Sequence, residues 1–221
     1  MTDATATRGV RLPRGERRDQ LMVAALEVFV AQGYHAASMD DIATRAGVSK
    51  PVLYQHFPGK LELYLALLDA SAEALVAAVR AALAATHDNE RRVEGTVAAY
   101  FAFVSDQAGA FRLVFESDLT AEPAVRERVE RVTEACAYAV SEVIAEDTDL
   151  TPEAAMLLAA GLTGSAQVAA RWWLTQDGVL PQQAAQELVS ALAWRGISRF
   201  PRVDEGDEAG GADRAHGRQL S

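Results

Sequence analysis

Between residues 38 and 60 the chain gathers side chains suited to gripping an anionic polymer. Lys50 and Lys60 are the only lysines in the sequence, and Tyr54 and His56 lie between them. Lys50 can donate to guanine O6/N7 or to phosphate, and Pro51 and Val52 can meet a thymine methyl. Tyr54, His56 and Lys60 suit phosphate oxygens, contacts that set register without reading bases. Enzymatic chemistry has far less to work with. Of four histidines, His87 and His216 fall in an expected helix break and tail, and His35 and His56 sit in the head. No His/Glu metal spacing, glycine-rich phosphate loop or nucleophile elbow is present. The expectation is a binding protein, with no catalytic residue, metal or cofactor of its own.

These residues need elements to present them, and the local signals are helical. Leu21, Ala25, Val28 and Phe29 mark one face of a helix that Gly33 should end. Ser38-Met-Asp-Asp41 reads as a capping box with Asp in place of the usual Glu or Gln. Gly47 stops the short helix that follows. Ser49 can cap the next helix through its hydroxyl, with Pro51 in the first turn, and Pro58-Gly59 breaks it. Two short helices about a glycine turn form a helix-turn-helix. In the second, Val48, Leu53 and Phe57 are spaced to face inward, and Lys50, Pro51, Tyr54 and Gln55 outward. A long helix from Lys60 to about Ala84 should bury Leu61, Leu65, Leu68, Leu75, Val79 and Leu83. Further helices are expected at about 90–106, 109–119, 122–146, 152–176 and 181–199. Strand signals are nearly absent, so the expectation is an all-α protein of about nine helices.

The overall charge of −10 argues against nucleic acid until it is located. Residues 1–65 hold eight bases and seven acids, and the remainder holds 13 bases and 24 acids. The acid therefore belongs to the body. Arg8, Arg11, Arg14, Arg17 and Arg18 crowd the start of the head. The division expected is a flexible basic arm at 1–13, a head at 14–60, a body at 61–200 and a polar, glycine-rich, disordered tail at 201–221. No apolar run reaches the roughly 20 residues that span a bilayer. The N-terminus lacks the apolar core of a secretory signal, and Cys136, the single cysteine, has no intrachain partner. A cytoplasmic protein without membrane partners is expected.

The stretch from Phe29 to Lys60 resembles the DNA-binding signature of the TetR family. Gly33-Tyr, Ile42-Ala, Ala46-Gly-Val-Ser and Leu53-Tyr-Gln-His-Phe57 stand at family spacing. The resemblance implies DNA contacts from Ser38, Met39, Thr44, Lys50, Pro51, Tyr54, His56 and Lys60, to which the local reading adds Ser49 and Val52. It also implies a two-fold homodimer on a near-palindromic double-stranded operator, an effector pocket in the body, and pairing through the last two helices.

In the body, Phe101, Phe111, Leu113, Phe115, Val132, Cys136, Leu162 and Ala169 are candidate pocket walls, though ordinary core explains each one singly. The run of Ala159, Ala160, Gly161, Gly164, Ser165, Ala166, Ala169 and Ala170, with Trp172, Trp173 and Trp194, suits a homodimer face or an internal core. Arg11-Leu-Pro-Arg-Gly-Glu-Arg-Arg18, Lys60-Leu-Glu-Leu-Tyr-Leu-Ala66 and Phe111-Arg-Leu-Val-Phe-Glu-Ser-Asp118 resemble the FasR type within that family. This implies an activator of fatty-acid synthase genes that leaves DNA on binding long-chain acyl-CoA. A repressor answering another hydrophobic molecule stays open. Arg91, Arg92, Arg112, Arg126, Arg128 and Arg131 are candidates for the CoA head, or a solvated helix face.

Overall fold

Short side-chain and backbone bonds decide where the first three helices begin and end. The computed structural model describes residues 13–106, 119, 121–176 and 180–197. Helix α1 spans Arg14–Ala36, with Leu21, Ala25, Val28 and Phe29 buried as their spacing requires. Gly33 breaks this helix instead of ending it: at φ 75° and ψ 164° it turns the chain, which makes one further helical turn to Ala36. That backbone region is essentially open to glycine alone.

Helix α2 spans Met39–Ala46. Ser38 Oγ accepts from the Asp41 N–H at 3.1 Å, and the Asp41 carboxylate accepts from the Ser38 N–H at 3.1 Å. Aspartate therefore closes the capping box, satisfying two otherwise unpaired donors. Gly47, at φ 66°, ends α2 in the left-handed conformation. Helix α3 spans Lys50–His56. Ser49 holds its N-cap position, but its hydroxyl makes no capping bond, against expectation. Its carbonyl instead accepts from Val52 and Leu53 at 3.0 and 3.2 Å. Pro51 removes one donor from the first turn, so less capping is needed.

Helix α4, Lys60–Ala84, is about 37 Å long. It packs on α1 near its start and on later helices along the rest. This double duty shifts its buried line. Leu63, Tyr64 and Leu67 join Leu68, Leu75, Val79 and Leu83 in the core, while Leu61 and Leu65 are half-buried. Helices α5 (Asn89–Asp106), α6 (Pro123–Asp147), α7 (Pro152–Thr175) and α8 (Gln182–Ile197) complete the body. The α6–α7 and α4–α6 pairs are its most extensive contacts, and α8 lies on α5.

Among the described residues there are eight helices and no strand, so the fold is all-α. None of the described helices is long and apolar enough to cross a membrane. The helix expected at 109–119, apart from Leu119, lies outside the described residues, as do residues 1–12 of the arm and the tail at 201–221.

Replacing Gly33 by Ala places a Cβ on a backbone that side chains avoid. The expected cost is about 1–3 kcal/mol of head stability, read as a lower denaturation midpoint in a urea titration.

Candidate nucleic-acid interface and effector cavity

Each helix of the head ends on carbonyls that its own turn cannot satisfy, and side chains from elsewhere fill the gap. Lys60 Nζ donates to the carbonyls of Tyr34 and Ala37 at 2.7 and 2.8 Å and lies 4.4 Å from the Tyr34 ring centroid. Gln20 Nε2 donates to the Ala46 carbonyl at 2.9 Å. Arg18 donates to the His56 carbonyl at 3.4 Å and stacks 4.3 Å over the Phe57 ring. A cation at a helix C-terminus is doubly favourable, since it meets both the free carbonyls and the negative end of the helix dipole. Arg18 and Gln20 were missed as functional positions because their partners lie 38 and 26 residues away.

The faces of α3 divide largely as their spacing requires. Leu53 and Phe57 are buried, Lys50, Pro51, Tyr54 and Gln55 are exposed, and Val48, Val52 and His56 are intermediate. Lys50 Nζ pairs with Asp40 at 2.5 Å, setting the starts of α2 and α3 side by side. This hydrogen bond raises the lysine's pKa. Arg45 pairs with Glu27 in the same way, from α2 to α1. His56 is held below its ordinary pKa, first by desolvation and then by Arg14, Arg18 and Arg17. It therefore stays neutral further into the acid range until an anion approaches.

Thr44 and Ser49 are exposed, and Ser38 is half-buried within its capping box. Two of the expected DNA contacts have other occupations. Met39 is 8% exposed and belongs to the head core with Ile42 and Ala43. Lys60 spends its donors on α1, so its first role is to join α1 to α4. The i, i+3 spacing of a short helix could not separate an inward methionine from an outward one.

In the body, α4, α5, α6, α7 and α8 line a half-open cavity of about 430 Å³, within the size range of small-molecule sites. Leu83, Val97, Val140, Val143, Leu158 and Leu162 supply much of its apolar wall. Its polar side includes Arg92, whose side chain is 12% exposed. Arg92 donates to Asp147 at 2.9 Å, to Asn89 at 3.0 Å, and to the carbonyls of Leu83 and Thr86 at 3.2 and 2.8 Å. One guanidinium thus ties the end of α4 to α5 and to the end of α6.

Of the expected pocket residues that are described, only Leu162 lines this cavity. Phe101 and Ala169 line a second hollow beside Trp172 and Trp173. Val132 and Cys136 are core. Cys136 is fully buried, and desolvation raises the pKa of its thiol despite a hydrogen bond with Tyr100. Phe111, Leu113 and Phe115 lie outside the described residues, as does Arg112. Arg126 and Arg131 form exposed pairs with Glu130 and Glu127, a solvated face. Arg128 bonds Asp69 at 2.8 Å, bracing α6 against α4.

The small-residue helix α7 serves two faces. Ala159, Ala166 and Ala170 are buried within the chain. Leu157, Ala160, Gly161, Ser165, Val168 and Trp172 are exposed, and no atom would meet a Cβ at Gly161 or Gly164. Leu188 and Leu192 of α8 are also exposed, at 61% and 73%. Trp173 turns inward against Phe101 at 5.7 Å, while Trp194 is half-buried at the cavity.

Residues 21–67 match the family described as bacterial regulatory proteins, tetR family. Across 194 residues, 88% of this chain and 89% of the relative, the sequence is 49% identical to the HTH-type transcriptional activator FasR of Mycolicibacterium smegmatis. The fatty acid degradation regulator FadR from Bacillus halodurans superposes with a TM-score of 0.69 at 21% identity, over 82% of this chain and 96% of that one. FadR from Bacillus subtilis, solved in complex with stearoyl-CoA, gives 0.66 at 18% identity over 81% and 98%. At such identities the two structures show a shared fold.

Lys60→Met keeps the apolar stem and removes the ammonium from the end of α1. The head should lose about 1–3 kcal/mol. Hydrogen exchange should quicken at the amides closing the last turn of α1, and unchanged exchange there would count against this joint.

Proposed function

The chain belongs to the TetR family of bacterial regulatory proteins, and we propose that it is a homodimeric activator of fatty-acid synthesis genes that long-chain acyl-CoA releases from its operator. The observation that carries this reading is the 49% identity to FasR, which continues through the body instead of stopping at the shared head. The largely apolar cavity and the stearoyl-CoA bound by a protein of the same fold support the effector class.

In this reading α3 enters the major groove, with Lys50, Pro51 and Val52 at base edges and Ser38, Thr44, Ser49, Tyr54 and His56 along the backbone. The apolar face of α7 and α8 pairs with its copy in a partner subunit, setting two heads roughly 34–36 Å apart. The acyl chain occupies the cavity bounded by Val97, Val140 and Leu162. Arg92 carries the signal, because it touches the cavity and holds the Leu83 and Thr86 carbonyls at and just beyond the end of α4, the helix whose first residue is clasped to the head. A ligand that changes the packing around Arg92 changes the angle of α4 and so the head spacing. A coupling of about 1–3 kcal/mol, or roughly 5–150-fold in DNA affinity, is sufficient. The protein performs no turnover in this scheme.

The deciding experiment is an anisotropy titration against the promoter of a fatty-acid synthase gene cluster, with and without stearoyl-CoA. Specific binding that long but not short acyl-CoA releases is expected, and failure to bind that promoter would remove the fatty-acid assignment. Leu162→Phe should leave operator affinity unchanged while raising the stearoyl-CoA concentration for half-release about tenfold, equivalent to about 1.4 kcal/mol of lost cavity. In the head, Lys50→Met should weaken operator binding and relax base preference at the position that Lys50 reads. Asp40→Asn should strengthen binding, since it frees Lys50 and removes a like charge facing phosphate.

A further inference from the structure

One polar group in the cavity has no partner among the described residues, and it bears on what the ligand must carry. Thr96 is 8% exposed, lines the cavity, and its Oγ1 is the buried side-chain oxygen or nitrogen that has no hydrogen bond among the described residues. Hydroxyls elsewhere in these helices bond to the carbonyl one turn back: Ser71 to Leu67 at 2.8 Å, Thr133 to Val129 at 3.0 Å and Thr163 to Ala159 at 2.8 Å. Thr163 does so within the same cavity. Thr96 forgoes that bond, and an unsatisfied buried hydroxyl is a cost that valine at this position would avoid.

Resting on the acyl-ligand reading above, we propose that Thr96 donates a hydrogen bond to a neutral carbonyl oxygen of the ligand, the thioester carbonyl of an acyl-CoA. Thr96 lies one turn beyond Arg92 on the same face of α5. The Nε and Nη1 groups of that guanidinium are taken by Asp147, Asn89 and the Leu83 and Thr86 carbonyls. A carboxylate at Thr96 would find its nearest cation already neutralised and Asp147 close to it. A neutral acceptor avoids that penalty, and rotation about the Thr96 side chain turns its buried hydroxyl toward such an acceptor. Thr96 therefore selects a thioester over a free fatty acid and fixes how far the chain enters.

The test compares stearoyl-CoA with S-octadecyl-CoA, the thioether with a methylene in place of the carbonyl, on the full-length protein by calorimetry. The parent should prefer the thioester about tenfold. Thr96→Val should bind the thioester about tenfold more weakly, bind the thioether within twofold of the parent, and so lose the preference. Thr96→Ser should retain it. Thr96→Val should also unfold at no lower temperature than the parent without ligand, which separates a lost ligand contact from a damaged fold. Equal weakening toward both ligands, or no change toward either, would overturn the assignment of Thr96 while leaving the acyl-CoA reading standing. A parent protein that binds neither ligand would overturn both.

Discussion

The structure turns on Lys60. It is the first residue of α4, and its ammonium holds the carbonyls that α1 leaves open around Tyr34 and Ala37. A helix C-terminus is an electrostatic and hydrogen-bonding deficit. Meeting it from the start of the next long helix makes the head rigid with respect to that helix. Tyr34, Phe29 and Tyr64 pack around the joint, with ring centroids 5.1–5.8 Å apart. Any tilt of α4 must therefore move the head as a body.

At its other end α4 is held by a second cation. Arg92 bonds the Leu83 and Thr86 carbonyls and reaches Asp147 on α6. The same physical device, a cation on unpaired helix carbonyls, thus fastens α4 at both ends, once to the head and once beside the cavity. Arg128 and Asp69 brace its middle against α6. This is how a body that carries the acid and a head that carries the lysines act as one molecule over about 37 Å.

The cavity and the exposed face of α7 and α8 share residues. Leu157, Gly161 and Leu192 line the cavity and are exposed on the outer face. Pairing of subunits over that face would therefore bear directly on the cavity wall. Surface of this apolar character is unusual for a chain that acts alone. The inward alanines Ala159, Ala166 and Ala170 let α7 lie close to the rest of the body, so one small-residue sequence satisfies both a core and an exterior face.

The helical class, the helix-turn-helix at 38–57 and the family are legible in the amino-acid order, because these rest on local signals. A serine three residues before aspartate, a glycine after Ala46 and a proline after Lys50 act through bonds within one or two turns. The outward set on α3 followed from period alone. Tertiary structure decided the rest. It buried Met39, gave Lys60 to α1, and, of the described pocket candidates, placed only Leu162 at the Arg92 cavity, with Val132 and Cys136 in solid core. Period tells that a side chain faces inward, but not whether atoms or a void lie opposite it. A cavity is made by what five helices fail to fill between them, and the bonds of Arg92 and the unpaired state of Thr96 depend on groups brought there by the fold. Those relations have no signature in any single stretch of chain.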